Sequence, residues 1–360
     1  MDASWFSIDP DVRTARTPPP EMYGDPGWHA QALDRVWARA WMLLEAVGGE
    51  EYGSNVVATS LLGEPLLFTR TEGGREHLLS NVCTHRGAVM VDGACRLRHL
   101  RCPYHGRRFR LDGTVAGAPG FDGEPGFPEP RDHLPRSPLA AFGPWRFGVV
   151  AAEPALPAED WLRPLRERLP WVAWDALTHA PAGERHHHLA ASWALYVENY
   201  LEGFHIPFVH PGLAKVLDST AYRTELLPFG TLQVGVAQAG APAHHPPAGD
   251  PDHGTPIGGY YFWLFPGTMV NLYPWGVSLN QVEPVGPRAT VVHYRTWVFG
   301  SGAPDPDVDT VELEDQAIIA RVQAGIGARR YPGGRYSPTE ERGTHHFHRL
   351  LASVGSSVGS

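Results

Sequence analysis

Two short loops, Cys83-Thr84-His85-Arg86-Gly87 and Cys102-Pro103-Tyr104-His105-Gly106, each bring one cysteine and one histidine, with sixteen residues between His85 and Cys102. Thiolates and imidazoles hold metals, and their order indicates which. Mixed zinc sites usually pair Cys with Cys and His with His. Here the order alternates, so each loop offers one ligand to each of two metal ions. That suits a dinuclear cluster clamped between two fingers, the ligand set of a Rieske [2Fe–2S] centre, in which two thiolates hold one iron and two imidazoles the other. Gly87 and Gly106 permit the tight turns such fingers need. A cluster of this kind moves single electrons; a structural zinc site is the competing reading.

A second constellation lies about a hundred residues downstream, in Asn199-Tyr200-Leu201-Glu202-Gly203-Phe204-His205-Ile206-Pro207-Phe208-Val209-His210. On an unbroken helix, His205 and His210 would diverge by about 140°. Pro207 interrupts the helix between them, so His210 can swing back towards His205. Two histidines and a carboxylate make the facial triad of non-heme Fe(II) oxygenases, which leaves positions open for O2; two core histidines are the alternative. Residues 309–327 read as a helix with Val311, Ile318, Ile319, Val322 and Ile326 on one stripe, and Asp315 falls near its middle. Glu314 lies to one side and Glu312 towards the other edge. A buried carboxylate is costly unless paired or metal-bound, which makes Asp315 the candidate third ligand. Alternatively, this acidic run only complements a helix N-terminus. Glu202, three residues before His205, is placed to hydrogen-bond a ligand imidazole.

The elements around these motifs suggest an α+β chain. A helix is expected over 28–41, short strands with Gly-rich turns over 46–155 (Asp112-Gly113 is a hairpin signal), and alternating strands and helices beyond. Ile257 to Val282 carries no charge for 26 residues. Its prolines and glycines would break a membrane helix, so it reads as two buried strands joined by a Pro-Gly turn. The domains expected are an N-terminal segment (1–45), a cluster domain (46–155), a catalytic domain (156–352) and a disordered Gly/Ser-rich tail (353–360). A net charge of −9 argues against nucleic acid as a partner. With three cysteines, Cys95 is left outside the cluster pair and no disulfide framework is possible. No signal peptide or membrane span is visible, which points to a reducing, cytoplasmic setting.

With both motifs in view, the chain resembles the catalytic α subunit of Rieske non-heme iron oxygenases, the ring-hydroxylating enzymes and their choline-, carnitine- and glycine-betaine-oxidising relatives. The resemblance runs from CTHRG and CPYHG through ENYLEGFH to LEDQAIIARVQAGI. It implies an all-β Rieske domain and a catalytic domain with a large antiparallel sheet covered by helices, of helix-grip (START-like) type. It also implies a homotrimer in which one subunit's cluster feeds the next subunit's iron. Glu202 would bridge the two sites and Asn199 and Tyr200 would lie near the iron. Electrons would come from NAD(P)H through a separate reductase, with or without a ferredoxin. Many members carry tryptophan after CPYHG, whereas this chain has Arg107-Arg108.

The activity implied is O2-dependent hydroxylation, dihydroxylation or oxidative demethylation of a small aromatic or quaternary ammonium compound. The rival reading is a Rieske electron-transfer protein without oxygenase activity, although a carrier needs only about a hundred residues. Among the aromatics Tyr260, Tyr261, Phe262, Trp263, Phe265, Tyr273 and Trp275, a cation–π cage and a plain strand core are both open readings.

Overall fold

In the strand Glu64–Arg70 the run Leu66-Leu67-Phe68 is buried on both faces, as a central strand requires. It is the middle strand of a five-stranded antiparallel sheet ordered Ala94–Cys95, Val56–Leu61, Glu64–Arg70, Glu76–Ser80, Arg136–Ser137. Leu100–Arg101, Arg108–Phe109 and Val115–Gly117 form a three-stranded sheet. Its Asp112-Gly113 turn is held by Asp112 Oδ1, which accepts from the Thr114 N–H and hydroxyl. The two cysteine loops sit at the ends of these strands. Cys83 and Cys102 belong to the apolar core made by Val56, Leu67, Leu79, Leu100 and Phe109.

The computed structural model describes residues 6–44, 53–218, 220–303 and 308–356. They divide into two units, one from Ala38 to Ala158 and one joining the chain up to Trp37 with that from Glu159 onward. The first boundary therefore lies at 37/38 rather than 45/46. The cause is the strand Met42–Leu43, which pairs with Trp145–Gly148 of the smaller unit. The helix expected over 28–41 is α1 (Pro26–Arg35), capped by Asp25, and it stops short. Beyond it the two tryptophans serve different cores. Trp37 packs edge-on against Trp193 at 5.0 Å, while Trp41 donates to the Leu156 carbonyl. A continuous helix could not place both.

In the larger unit, α2 (Ala158–Arg168), α3 (Trp193–Tyr200), α4 (Ile206–Val209), α5 (Val308–Ile326) and α6 (Arg342–Ser356) accompany an eight-stranded antiparallel sheet. From one edge the sheet runs Leu177–His179, Ala289–Phe299, Gly276–Gly286, Thr268–Tyr273, Ile257–Leu264, Gly230–Val236, Arg223–Leu227. Arg185–Leu189 also pairs with Ala289–Phe299. The expected α+β organisation is thus what the chain forms. The uncharged stretch 257–282 holds two whole strands and the start of a third. A second turn at Pro274-Trp275 follows the one at Pro266-Gly267. Helix α3 packs on α5, on α6 and on the strand Gly276–Gly286. Helix α6 continues through Ser356 where a disordered tail from 353 is expected, because Leu351 and Ala352 are buried and anchor its last turns. Residues 357–360 of that tail lie outside the described residues.

Candidate metal centres

The two cysteine loops are the same local structure built twice. In each, the Cys N–H donates to the carbonyl five residues on (Ala88, Arg107), and the glycine N–H returns to the Cys carbonyl. Gly87 and Gly106 have φ of 74° and 73°, a region glycine enters without strain. This repeat buries both cysteines, leaves His85 and His105 exposed, and brings their rings to 4.8 Å between centroids. Two sulfurs inside and two imidazoles outside match a cluster with one iron facing each pair. Among the described residues, the only group of three or more donors lying within 4.8 Å of one another is His205, His210 and Asp315. Cys95, in the strand Ala94–Cys95 and outside both loops, packs against the same core.

The second site is assembled from three segments. Ser192 caps α3, which ends at Leu201, and the chain turns through Glu202 and Gly203 before α4. The helix therefore breaks ahead of His205. Pro207 lies in the first turn of α4, where it is tolerated, instead of interrupting a helix. His205 stands before α4 and His210 after it, and the non-helical backbone at His210 (φ −116°, ψ 76°) turns it back towards His205. Their Nε2 atoms approach to 3.2 Å, and Asp315 Oδ1 on α5 is 3.0 Å from His210 Nε2 and 3.4 Å from His205 Nε2.

Each imidazole is oriented from behind. His205 Nδ1 donates to Glu202 Oε1 at 2.7 Å, and the His205 backbone N–H donates to Glu202 Oε2. His210 Nδ1 donates to Glu314 Oε2 at 2.8 Å. With both Nδ1 atoms committed as donors, both Nε2 atoms face Asp315 and become ligand atoms once their protons leave. This is the carboxylate–histidine arrangement that metal-binding imidazoles use. The donor set fits a mononuclear iron with positions left free. Burial opposes ionisation of Asp315, but hydrogen bonds from the two histidines outweigh it and hold the carboxyl below its usual range.

Burial disfavours charge on His205 as well, yet Asp315 and Glu202 raise it to about 9 in the iron-free protein. The proton on Nε2 must leave before the ring can ligate. Fe(II) loading of anaerobic apoprotein is therefore expected to tighten from about pH 6 towards 9, by roughly tenfold per unit for one displaced proton. A pH-independent affinity in a direct Fe(II) titration would contradict this.

Two acids depart from the helical-stripe reading. Glu314, placed to one side of α5, is the partner of His210, since α4 packs along that flank. Glu312, placed at an edge, is the most buried acid of the helix at 3% exposure, whereas Val322 is exposed. Glu312 accepts from Tyr196, Tyr294 and Gln316, and burial pushes its carboxyl up to about 7. The inward side of α5 therefore carries Glu312, Asp315 and Ile319. Acids three apart on one face were the available signal.

A cavity of about 450 Å³ adjoins the triad, and Asn199, Glu202, His205, His210, Glu312 and Asp315 all line it. Part of its lining is aromatic. Tyr222 stacks on Tyr261 at 6.5 Å, Tyr261 meets Tyr273 edge-on at 5.8 Å, and Tyr273 stacks on Trp275 at 5.1 Å. Tyr200, which donates to Asn271 Oδ1 at 2.6 Å, fixes a side. Tyr260 and Phe262 are fully buried on the opposite face of the strand from Tyr261, while Trp263, on the same face as Tyr261, is buried against Phe347 of α6; none of the three lines the cavity.

Residues 43–128 match the Rieske [2Fe-2S] domain, and residues 177–356 match the ring hydroxylating alpha subunit catalytic domain. Chloroplastic choline monooxygenase of Arabidopsis thaliana is 29% identical, over 96% of this chain and 84% of its own length. The carnitine monooxygenase oxygenase subunit of Escherichia coli K12 is 27% identical over 94% of each. Among solved structures, a quaternary ammonium Rieske monooxygenase, described with carnitine oxidation by gut microbiota and inter-subunit electron transfer, superposes with a TM-score of 0.80. It shares 23% identity over 98% of this chain and all of its own. Since the catalytic-domain match spans half the chain and lies behind a Rieske domain, this protein belongs to the ring-hydroxylating oxygenase α-subunit family and is an oxygenase that uses a [2Fe–2S] cluster and a mononuclear iron.

Proposed function

We propose that the chain is the terminal oxygenase of a monooxygenase system acting on a small quaternary ammonium compound that bears no carboxylate. In this reading Cys83, His85, Cys102 and His105 hold the cluster, and His205, His210 and Asp315 hold the iron. The carrying observation is the makeup of the cavity beside the triad. Its wall of Tyr222, Tyr261, Tyr273 and Trp275 offers π-faces to an organic cation, and Glu312, Glu314 and Asp315 are the acids of α5 that line the same cavity. No Arg or Lys lines it among the described residues, and none of the undescribed residues is Arg or Lys. A substrate carboxylate would therefore be buried among acids without a counter-ion, which is strongly unfavourable. The choline and carnitine monooxygenase relatives support the ammonium class, and the cavity favours the carboxylate-free branch.

When bound at the triad, the iron supplies open coordination positions at which O2 is activated. The chain's own residues do the rest. Glu202 and Glu314 keep each proton on Nδ1, so both imidazoles present Nε2. Asp315 completes the facial set. Glu312, tied to Tyr196 and Tyr294, keeps one cavity side polar and ordered, while Tyr200 ties α3 to the sheet by donating to Asn271. The substrate's C–H bond is then held beside the triad while its cationic head meets the aromatic wall. The net reaction places one oxygen atom in that bond and reduces the other to water, using two electrons delivered singly. Those electrons come from NAD(P)H through a separate reductase. The assembly is a homotrimer in which the cluster of one subunit serves the iron of its neighbour. None of the three cysteines forms a disulfide, in keeping with a reducing, cytoplasmic compartment.

The test is reductase-coupled O2 uptake with product analysis, comparing choline with L-carnitine, γ-butyrobetaine and plain and methoxylated arenes. Choline should exceed the two carboxylated betaines by about tenfold or more in kcat/KM, as expected for a pocket that leaves a charge unpaired. Equal or faster turnover of L-carnitine would remove the carboxylate exclusion. Product from an arene alone would remove the ammonium reading.

A further inference from the structure

Arg107 follows the CPYHG loop where the family resemblance leads to an expectation of tryptophan, and its side chain is 4% exposed. Its Nη1 donates to Thr84 Oγ1 at 3.1 Å and to Asp132 Oδ1 at 3.3 Å. The guanidinium lies 5.2 Å from the Phe121 ring centroid and 5.1 Å from that of Phe127. Phe121 in turn stands edge-on to the His85 ring at 5.8 Å. Thr84, between the ligands Cys83 and His85, passes the contact on by donating to the Asp132 carbonyl at 2.7 Å. One side chain thus ties together both ligand loops and the segment from Phe121 to Asp132.

We propose that Arg107 is a positioning residue for the cluster, fastening the Phe121–Asp132 segment over the two ligand loops and setting a fixed positive charge beside them that raises the cluster's reduction potential. One-electron reduction makes the cluster more negative by one charge, so a nearby buried cation stabilises the reduced form. Its counter-ion does not cancel it. Asp132 is 19% exposed against 4% for Arg107, so water screens the carboxylate more than the guanidinium. The ion pair is also a single contact, and Arg107 Nε is buried without a hydrogen-bond partner.

Redox titration of the purified holoprotein with dithionite, followed by visible absorption, tests this. Iron and sulfide content would be checked alongside. Arg107→Gln should lower the midpoint potential and Asp132→Asn should raise it. Each shift is expected to be about tenfold in the reduction equilibrium, or 59 mV for one electron. Arg107→Lys, which keeps the charge, should stay nearer the parent than Arg107→Gln. Opposite signs in the two neutralising variants mark a field effect, because mere loosening of the loops would move both in one direction. Shifts of the same sign, or no shift in either, would overturn the proposal. Should Arg107→Gln fail to hold a cluster, Asp132→Asn still decides: a rise supports the proposal, and an unchanged or lowered potential overturns it.

Discussion

An Asp315→Ala protein will purify with its red-brown colour and lose its oxygenase activity. The parent should carry about three irons and two acid-labile sulfides per chain, and the variant about two irons and two sulfides. The reason is geometric. Among the described residues, Asp315 Oδ1 is the one anionic donor facing both Nε2 atoms, at 3.0 and 3.4 Å. Removing it leaves two neutral imidazoles, without the carboxylate that completes the 2-His-1-carboxylate set for Fe(II). The cluster lies in the other unit and shares no ligand with α5, so reduction of the cluster by the reductase should persist while product formation falls below detection. Retention of the third iron, or product formation at more than about a hundredth of the parental rate, would remove Asp315 from the ligand set. The same experiment bears on the electron-carrier alternative, for which the loss of a third iron would have no functional consequence.

The second large effect is expected at Glu202. Its two oxygens each take a hydrogen bond from His205, one from Nδ1 and one from the backbone N–H. Glutamine keeps the size but has one acceptor oxygen, so one donor of His205 must face an NH2 group. The imidazole also loses the anion that raises its basicity. Outer-shell changes of this kind cost about 10- to 100-fold in metal affinity or activity. We therefore expect Glu202→Gln to lower turnover by that range with an unchanged cluster spectrum. Single-turnover kinetics divides the two roles open to this residue. If Glu202 acts only by orienting His205, Fe(II) affinity falls and saturating iron restores the rate. If it also links the iron to a neighbouring subunit's cluster, electron transfer stays slow with iron fully loaded. Parental turnover and parental iron affinity together would dismiss both.

How much of this was legible beforehand differs by residue. The cysteine–histidine loops were readable because each ligand pair lies within five residues and the glycines mark the turns. Asp315 was readable because helical periodicity carries an acid to an inward face. Glu314 was not, because its role depends on α4 lying along one flank of α5, about a hundred residues away in sequence. Glu312 was misjudged for a related reason. A stripe drawn through apolar residues assumes that the buried face is apolar, but here it is filled by a carboxylate satisfied by two tyrosine hydroxyls and a glutamine. The break ahead of His205 was likewise assigned to the conspicuous proline when the turn occurs at Glu202-Gly203.

By itself the sequence determined the chemistry. Ligand identity and short-range spacing are chemical and local, and they name a cluster for single electrons and an iron with an open face. Only the tertiary structure decided which acids stand behind the histidines, which aromatics turn towards the cavity, and what Arg107 does in place of tryptophan. Those outcomes rest on which faces of distant elements meet. Periodicity can tell that a residue points inward, but packing alone selects what it meets there.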